Sequence, residues 1–265
     1  MLDFNQYSKH QGKDNCVTVT LNMLLDQALS YEKSLELPRK YLGASRLGVP
    51  CSRALQYEYQ NAKYGVATSF NAKTTRIFAA GHLFEELLTN WLKQSGFELT
   101  THDNNGKQLG FEVADGRIAG HIDGVITAAP SELNLTCPSL WETKSMNNKS
   151  WNDTARKGLV LSKPVYAAQI ALYQAYMEET ICGISKNPCL FTAINKDTSE
   201  IYAELIPFDA ELAQRMSDKA VNIIKATEAE ETLPRAFSNK EVFDCKICSY
   251  RAKCWNIQEE ERLYE

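Results

Sequence analysis

Asp123, Glu142 and Lys144 are charged residues set inside apolar runs, in the stretch GHIDGVITAAPSELNLTCPSLWETKSM at 120–146. Burying an unpaired charge is costly, so their placement calls for compensation. In an extended LWETKSM the side chains alternate, with Leu140, Glu142 and Lys144 on one face and Trp141, Thr143 and Ser145 on the other. If 117–128 pairs with this strand, Asp123 approaches Glu142, and two neighbouring carboxylates repel unless something positive lies between them. A divalent cation meets that need, because Mg²⁺ and Mn²⁺ favour carboxylate, water and phosphate oxygen over sulfur or imidazole. Such an ion polarises a phosphoryl oxygen and acidifies a bound water. A lysine beside it can orient or deprotonate that water, provided its pKa is depressed. The plainer reading is a turn aspartate before Gly124 and a surface Glu142–Lys144 pair, and these segments alone accommodate both.

The elements that must position these residues follow from periodicity. The spacing predicts helices over about 17–43, from Ser52, over 74–96, over about 164–179 with Pro164 at its start, and from about Asp209 to Glu228. Strands are expected at 97–101, 107–114, 117–128 and 140–146, then in CLFTAINK and EIYAELIPF. That order suggests an α/β or α+β domain on a central mixed sheet with helical additions at both ends. In the helix 74–96, Ile77, Ala80, Phe84, Leu87, Leu88 and Trp91 form the apolar stripe. Glu86 projects away from it, whereas Glu85 at its edge could supply a third carboxylate. Gln169 and Tyr173, one helical turn apart, flank a stripe of Val165, Ala168, Leu172 and Tyr176 and can hydrogen-bond toward the same site.

Gly81 with Glu85, Asp123, Glu142 with Lys144, and Gln169 with Tyr173 occur in the order G-x-x-x-(H/E), D, E-x-K, Q-x-x-x-Y. Across roughly 76–176 the chain thereby resembles the PD-(D/E)XK nuclease superfamily in its RecB-like branch. The resemblance implies a restriction-endonuclease-like α/β core, a central mixed β-sheet flanked by helices. It implies a nuclease core over 73–230, an N-terminal helical region over 1–72 and a C-terminal cysteine segment over 231–265. Glu85, Asp123 and Glu142 would hold Mg²⁺ or Mn²⁺, with the Thr143 carbonyl as an extra ligand. Lys144 would position the attacking water, and Gln169 and Tyr173 would steady the lysine or the phosphate. The implied activity is a metal-dependent deoxyribonuclease, an exonuclease on DNA ends or single strands in recombination or repair, of the stand-alone phage or CRISPR-associated type. A structure-specific or nonspecific endonuclease and a catalytically silent DNA-binding or assembly module are the alternatives. Glu85 departs from the histidine common in this branch, and His82 and His121 are expected as polar neighbours rather than ligands.

FDCKICSYRAKCW places Cys245, Cys248 and Cys254 at short spacing, a metal signal that needs a fourth ligand. Cys51 is the candidate. The phrase Cys51-x-Arg53-x-x-x-Tyr57 is similar to the segment supplying the lone N-terminal cysteine in iron–sulfur members of the branch, which include AddB-type and CRISPR-adaptation nucleases. That likeness implies a [4Fe–4S] cluster joining the chain ends, with zinc as the competing metal. Free thiols remain a third reading. Cys16, Cys137, Cys182 and Cys189 have no ligand spacing and read as core or surface residues.

The 265 residues, 44% hydrophobic and 23% charged, have ordinary globular composition. No apolar window reaches bilayer-spanning length, no signal peptide is read in the first thirty residues, and a cytoplasmic location is expected. A net charge of −4 does not advertise nucleic-acid binding, although a basic groove can sit on an acidic body. Candidate DNA contacts are Arg53, first choice for a terminal phosphate, with Arg76, Lys73, Lys149 and Lys163, and Trp151 and Tyr166 for base stacking. A homo-oligomer or a recombination partner protein is also entertained.

Overall fold

The computed structural model describes residues 16–65 and 72–257. The outermost parts of the expected terminal regions, and residues 66–71, lie outside these. The elements in chain order begin with α1 (Cys16–Ser34), β1 (Leu42–Gly43), α2 (Ser52–Lys63), α3 (Ala72–Gln94) and β2 (Glu98–Thr100). Next come β3 (Gly110–Val113), β4 (Ile118–His121), β5 (Gly124–Ala128), β6 (Ser139–Met146), α4 (Asn148–Lys157), α5 (Leu159–Ser162) and α6 (Pro164–Met177). The chain continues through β7 (Cys189–Asn195), β8 (Ile201–Ile206), α7 (Ala210–Glu228), α8 (Phe243–Lys246) and α9 (Arg251–Trp255).

Five strands form a mixed sheet in the order β2–β5–β6–β7–β8, and three form a smaller sheet, β1–β4–β3. The expected mixed α/β architecture, with helices flanking the sheets, is present. β6 and β7 are parallel, which requires a long crossover, and α4, α5 and α6 supply it. The other pairings in the larger sheet are antiparallel. All seven residues of β7 are buried, as a strand covered on both faces must be. Alternation divides the core in two. Leu140 and Phe191 join Ile170, Leu172 and Ile223 of the helices α6 and α7, while Trp141 and Leu190 pack with Leu88, Leu99 and Ile126.

Three expectations need correction. The run 117–128 is two strands in two sheets, broken at Ile122–Asp123, because β4 pairs with β1 and β3 while β5 pairs with β2 and β6. The first helix stops at Ser34 rather than near residue 43, and Leu42–Gly43 joins the small sheet. The stripe on α3 is only partly covered: Leu88 is 2% exposed, but Ile77 is 52% and Trp91 40%. The N-terminal turns of α3 lie against α1, none of whose residues is buried, and an Arg76–Asp26 ion pair joins the two helices. Helices α4 and α5, unanticipated in the sequence, are polar or short. α4 starts where Asn147 Oδ1 accepts the Ser150 N–H at 2.8 Å.

Among the described residues, no helix is long and apolar enough to cross a membrane.

Candidate active site and cysteine cavity

Asp123 is positioned by the break between the sheets. The Ile122 N–H donates to the Leu109 carbonyl at 2.9 Å, and Gln108 Nε2 to the Ile122 carbonyl at 3.2 Å, so the chain leaves the small sheet pinned. It enters the larger sheet at Gly124, opposite Trp141, and one more step of this register puts Asp123 opposite Glu142. There Asp123 Oδ2 accepts the Thr143 N–H at 2.8 Å. The flanking glycines are steric requirements. A Cβ at Gly120 would fall 2.7 Å from Phe111 Cζ and 2.9 Å from Tyr173 Cε1, and one at Gly124 would fall 2.7 Å from Leu99 Cδ1.

Glu142 is completely buried. Its Oε1 forms a close ion pair with Lys144 Nζ and accepts a hydrogen bond from Gln169 Nε2 at 2.6 Å. Its Oε2 is buried with no hydrogen-bond partner among the described residues. Burial, then repulsion from Asp123, push the Glu142 carboxyl up to about 8, even though Lys144 opposes the rise. Burial acts to lower the Lys144 pKa, but the Glu142 and Asp123 carboxylates outweigh it and hold the lysine above its ordinary range. With these neighbours the Lys144 ammonium donates to Glu142 Oε1.

Glu85 reaches the same place from α3. Burial, followed by the Asp123 charge, raises its pKa, while His82 opposes the shift from 3.6 Å across Nδ1 and Oε2. Asp123 is raised by its own burial, against the Lys144 charge and the Thr143 hydrogen bond. Glu85, Asp123 and Glu142, from a helix, a sheet break and a strand, are thus close enough to influence one another's ionisation. Tyr173 is buried edge-on to Phe111 at 5.5 Å, and burial followed by Glu142 raises its pKa. Tyr166, weighed from the sequence only for base stacking, has its ring 5.3 Å from Lys144 Nζ. The sequence holds a usable signal for that contact, since Tyr166 lies on the helix of Gln169, one turn earlier.

The donor type here, carboxylate oxygen, is the one a hard divalent cation takes. A buried carboxylate oxygen without a partner is costly unless something positive satisfies it, and the surrounding donors are oxygens. Glu85, Asp123 and Glu142 are the candidate ligands. Thr143 is tied to the site by its N–H, which donates to Asp123 Oδ2. Among the described residues, no group of three or more His, Cys, Asp or Glu side chains stands in metal-holding geometry.

The four cysteines singled out by spacing are brought together. Cys51, Cys245, Cys248 and Cys254 line one cavity of about 340 Å³ with Arg46 and Arg235. Burial raises the Cys248 thiol, and Cys51, Cys245 and Cys254 push in the same direction. Thiolate is the ligand type of iron–sulfur and zinc sites, but no three of these described cysteines stand in metal-holding geometry. Arg53, first choice for a phosphate contact, lies beside these cysteines. Its Nε donates to the Leu233 carbonyl at 2.5 Å and its Nη1 to Cys254 Sγ at 3.9 Å. Gln56 reinforces this junction, donating to the Glu231 carbonyl at 2.5 Å and accepting the Leu233 N–H at 2.9 Å. Trp151, weighed for base stacking, donates its Nε1–H to the Ala193 carbonyl at 2.9 Å and packs on the core. Of the remaining cysteines, Cys189 is buried, Cys137 half-buried, and Cys16 and Cys182 exposed.

No protein-family model matches the sequence, and no curated protein matches it. Solved structures give distant likenesses. An alkaline exonuclease from Laribacter hongkongensis aligns at 17% identity and a TM-score of 0.49, over 78% of this chain and 93% of its own. The same exonuclease in complex with dAMP aligns at 16% and 0.48, over 77% and 93%. SSO0001 aligns at 16% and 0.48, over 89% and 96%.

Proposed function

We propose that this chain is a metal-dependent deoxyribonuclease that hydrolyses phosphodiester bonds with Mg²⁺ or Mn²⁺. The observation that carries the reading is Glu142: a buried carboxylate, half satisfied by Lys144 and Gln169, with a free oxygen beside Asp123 and within the influence of Glu85. A structural ion pair gives no reason for three mutually repelling acids at the junction of two sheets.

When bound, the cation would polarise a phosphoryl oxygen and acidify a water, with Glu85, Asp123 and Glu142 as its ligands. Lys144 presents its ammonium beside these acids, where it can orient the attacking water and stabilise charge developing on the phosphate. Gln169 holds Glu142, and through it Lys144, in place. The Tyr166 ring restrains the lysine from the other element. Asp123 fixes the register of the reacting strand by taking the Thr143 N–H. The exonuclease form and the [4Fe–4S] centre on Cys51, Cys245, Cys248 and Cys254 follow the sequence resemblance. The shared cavity of those cysteines supports a metal staple of iron–sulfur or zinc type.

The test is anaerobic purification followed by incubation with Mn²⁺ and labelled linear or circular DNA. Degradation of linear DNA alone, lost in Lys144→Ala, supports an exonuclease. Nicking of circles moves the reading to an endonuclease, and no cleavage of either removes it. Broad visible absorbance indicates iron–sulfur ligation, and a colourless protein containing zinc indicates the alternative.

A further inference from the structure

Directly after β6, the strand of Glu142 and Lys144, the chain turns into α4 and opens a groove of about 730 Å³. Lys149, Asp153, Arg156 and Lys163 are its charged lining residues, three cations against one carboxylate. That carboxylate organises the cations without neutralising them. Asp153 Oδ1 lies 2.8 Å from Lys157 Nζ and 3.3 Å from Arg156 Nη2, and Oδ2 lies 3.7 Å from Lys163 Nζ. Arg156, Lys157 and Lys163 share this one carboxylate and Lys149 adds a further cation to the lining, on a chain whose formal net charge is −4. A local surplus of that sign on an acidic body is a binding signature for a polyanion.

The groove follows the acid site along the chain, its lining residues falling between the end of β6 and the start of α6. The Lys163 carbonyl accepts the Tyr166 N–H at 2.9 Å, and the Tyr166 ring lies 5.3 Å from Lys144 Nζ. Immediately before Lys163 in the chain, α5 joins α4 to α6 and carries two solvent-facing apolar residues, Val160 at 53% and Leu161 at 78% exposure. Duplex bases are stacked inward, whereas a single strand offers its base faces to such side chains.

We propose that this groove binds the sugar–phosphate backbone of single-stranded DNA leading to the Lys144 site, with Val160 and Leu161 against its bases. Arg156 and Leu161 acquire their roles here; neither belongs to a recognisable motif. The proposal rests on the nuclease reading for the direction of the strand.

Binding is read separately from cleavage. In a Lys144→Ala background without divalent cation, fluorescence anisotropy measures affinity for a single-stranded oligonucleotide across a salt series. Each phosphate contact removed should lower the magnitude of the log K against log [salt] slope by about 0.7. The exposed pair Lys149→Ala and Arg156→Ala should therefore lower it by about 1.4, with Lys163→Ala taking it further. Leu161→Ser should weaken affinity several-fold while leaving the slope alone, and should do so less for duplex DNA. An unchanged slope in the folded Lys149/Arg156 double variant overturns the proposal, as does equal weakening of duplex and single strand by Leu161→Ser. Should the wild-type chain fail to cleave while these slopes still fall, the groove stands and the catalytic reading alone is lost. Cleavage with unaltered slopes would instead keep the nuclease and remove the groove.

Discussion

Gln169 Nε2 on α6 donates to Glu142 Oε1 on β6 at 2.6 Å, tying the helix to the oxygen that also pairs with Lys144. The other oxygen is left for something else. A helix of the crossover therefore decides which lone pairs of a strand carboxylate are free. Gln169→Ala should remove one of the two partners of Oε1 and destabilise the protein by about 1–3 kcal/mol. It should also lower the cleavage rate by loosening Lys144. Denaturant unfolding and single-turnover cleavage check the two effects; full stability together with full activity would exclude the positioning role.

Lys144→Ala should reduce the cleavage rate by on the order of 10²–10⁴-fold, the range for a positioned group acting on a proton or developing charge. Lys144→Arg should recover little of it, because a planar guanidinium cannot repeat the close contact of an ammonium with Oε1. Cleavage rates at saturating Mn²⁺ measure this.

The Glu142 carboxyl is raised from its ordinary value to about 8 by burial and by Asp123, and Asp123 and Glu85 shift in the same direction. A group whose folded pKa exceeds its unfolded one binds protons more tightly when folded. Its contribution to stability is therefore complete below about pH 4.5 and is lost as pH rises through about 8. In chelator-treated protein, the Tm of wild type relative to Glu142→Gln should fall between pH 5 and 8, as thermal melts across that range would show. A flat difference would mean that Glu142 is not proton-rich in the fold.

Mn²⁺ should reverse that penalty. Saturating ion should raise the wild-type Tm, more at pH 8 than at pH 5.5, because metal and proton compete for the same carboxylates. Glu85→Ala should weaken the effect and Glu142→Gln should remove most of it. Calorimetric titration measures the affinity directly.

Gly120→Ala should destabilise by about 1–3 kcal/mol, since its Cβ would strike the Phe111 and Tyr173 rings. Gly81→Ala is the control. Its Cβ would meet only Ser145 Oγ, at 3.8 Å, and replacing a mid-helix glycine should stabilise by about 0.5–1 kcal/mol. The two melting temperatures should therefore move in opposite directions.

Several of these residues were legible in the chain because chemistry of side-chain type does not depend on distance. Asp123, the Glu142–Lys144 pair and the cysteines are unusual for their surroundings wherever the backbone goes. Period also fixed the central strands and α6, since alternation and helical spacing are local. The break at Ile122–Asp123 was not legible. RIAGHIDGVITA reads as one strand, and only the competition between Leu109 and Trp141 for its backbone separates the halves. Nor was the bond from Arg53 Nε to the Leu233 carbonyl, 180 positions away.

What the sequence determined by itself was the inventory: which side chains carry charge, which can ligate, and which stretches must be buried, because these follow from composition and period alone. Only the tertiary structure decided that Asp123 faces Glu142 across a sheet break, that one oxygen of Glu142 stays unpartnered, and that Lys149, Arg156 and Lys163 share a groove. Proximity among residues far apart in the chain arises from packing of whole elements, and no local pattern encodes it.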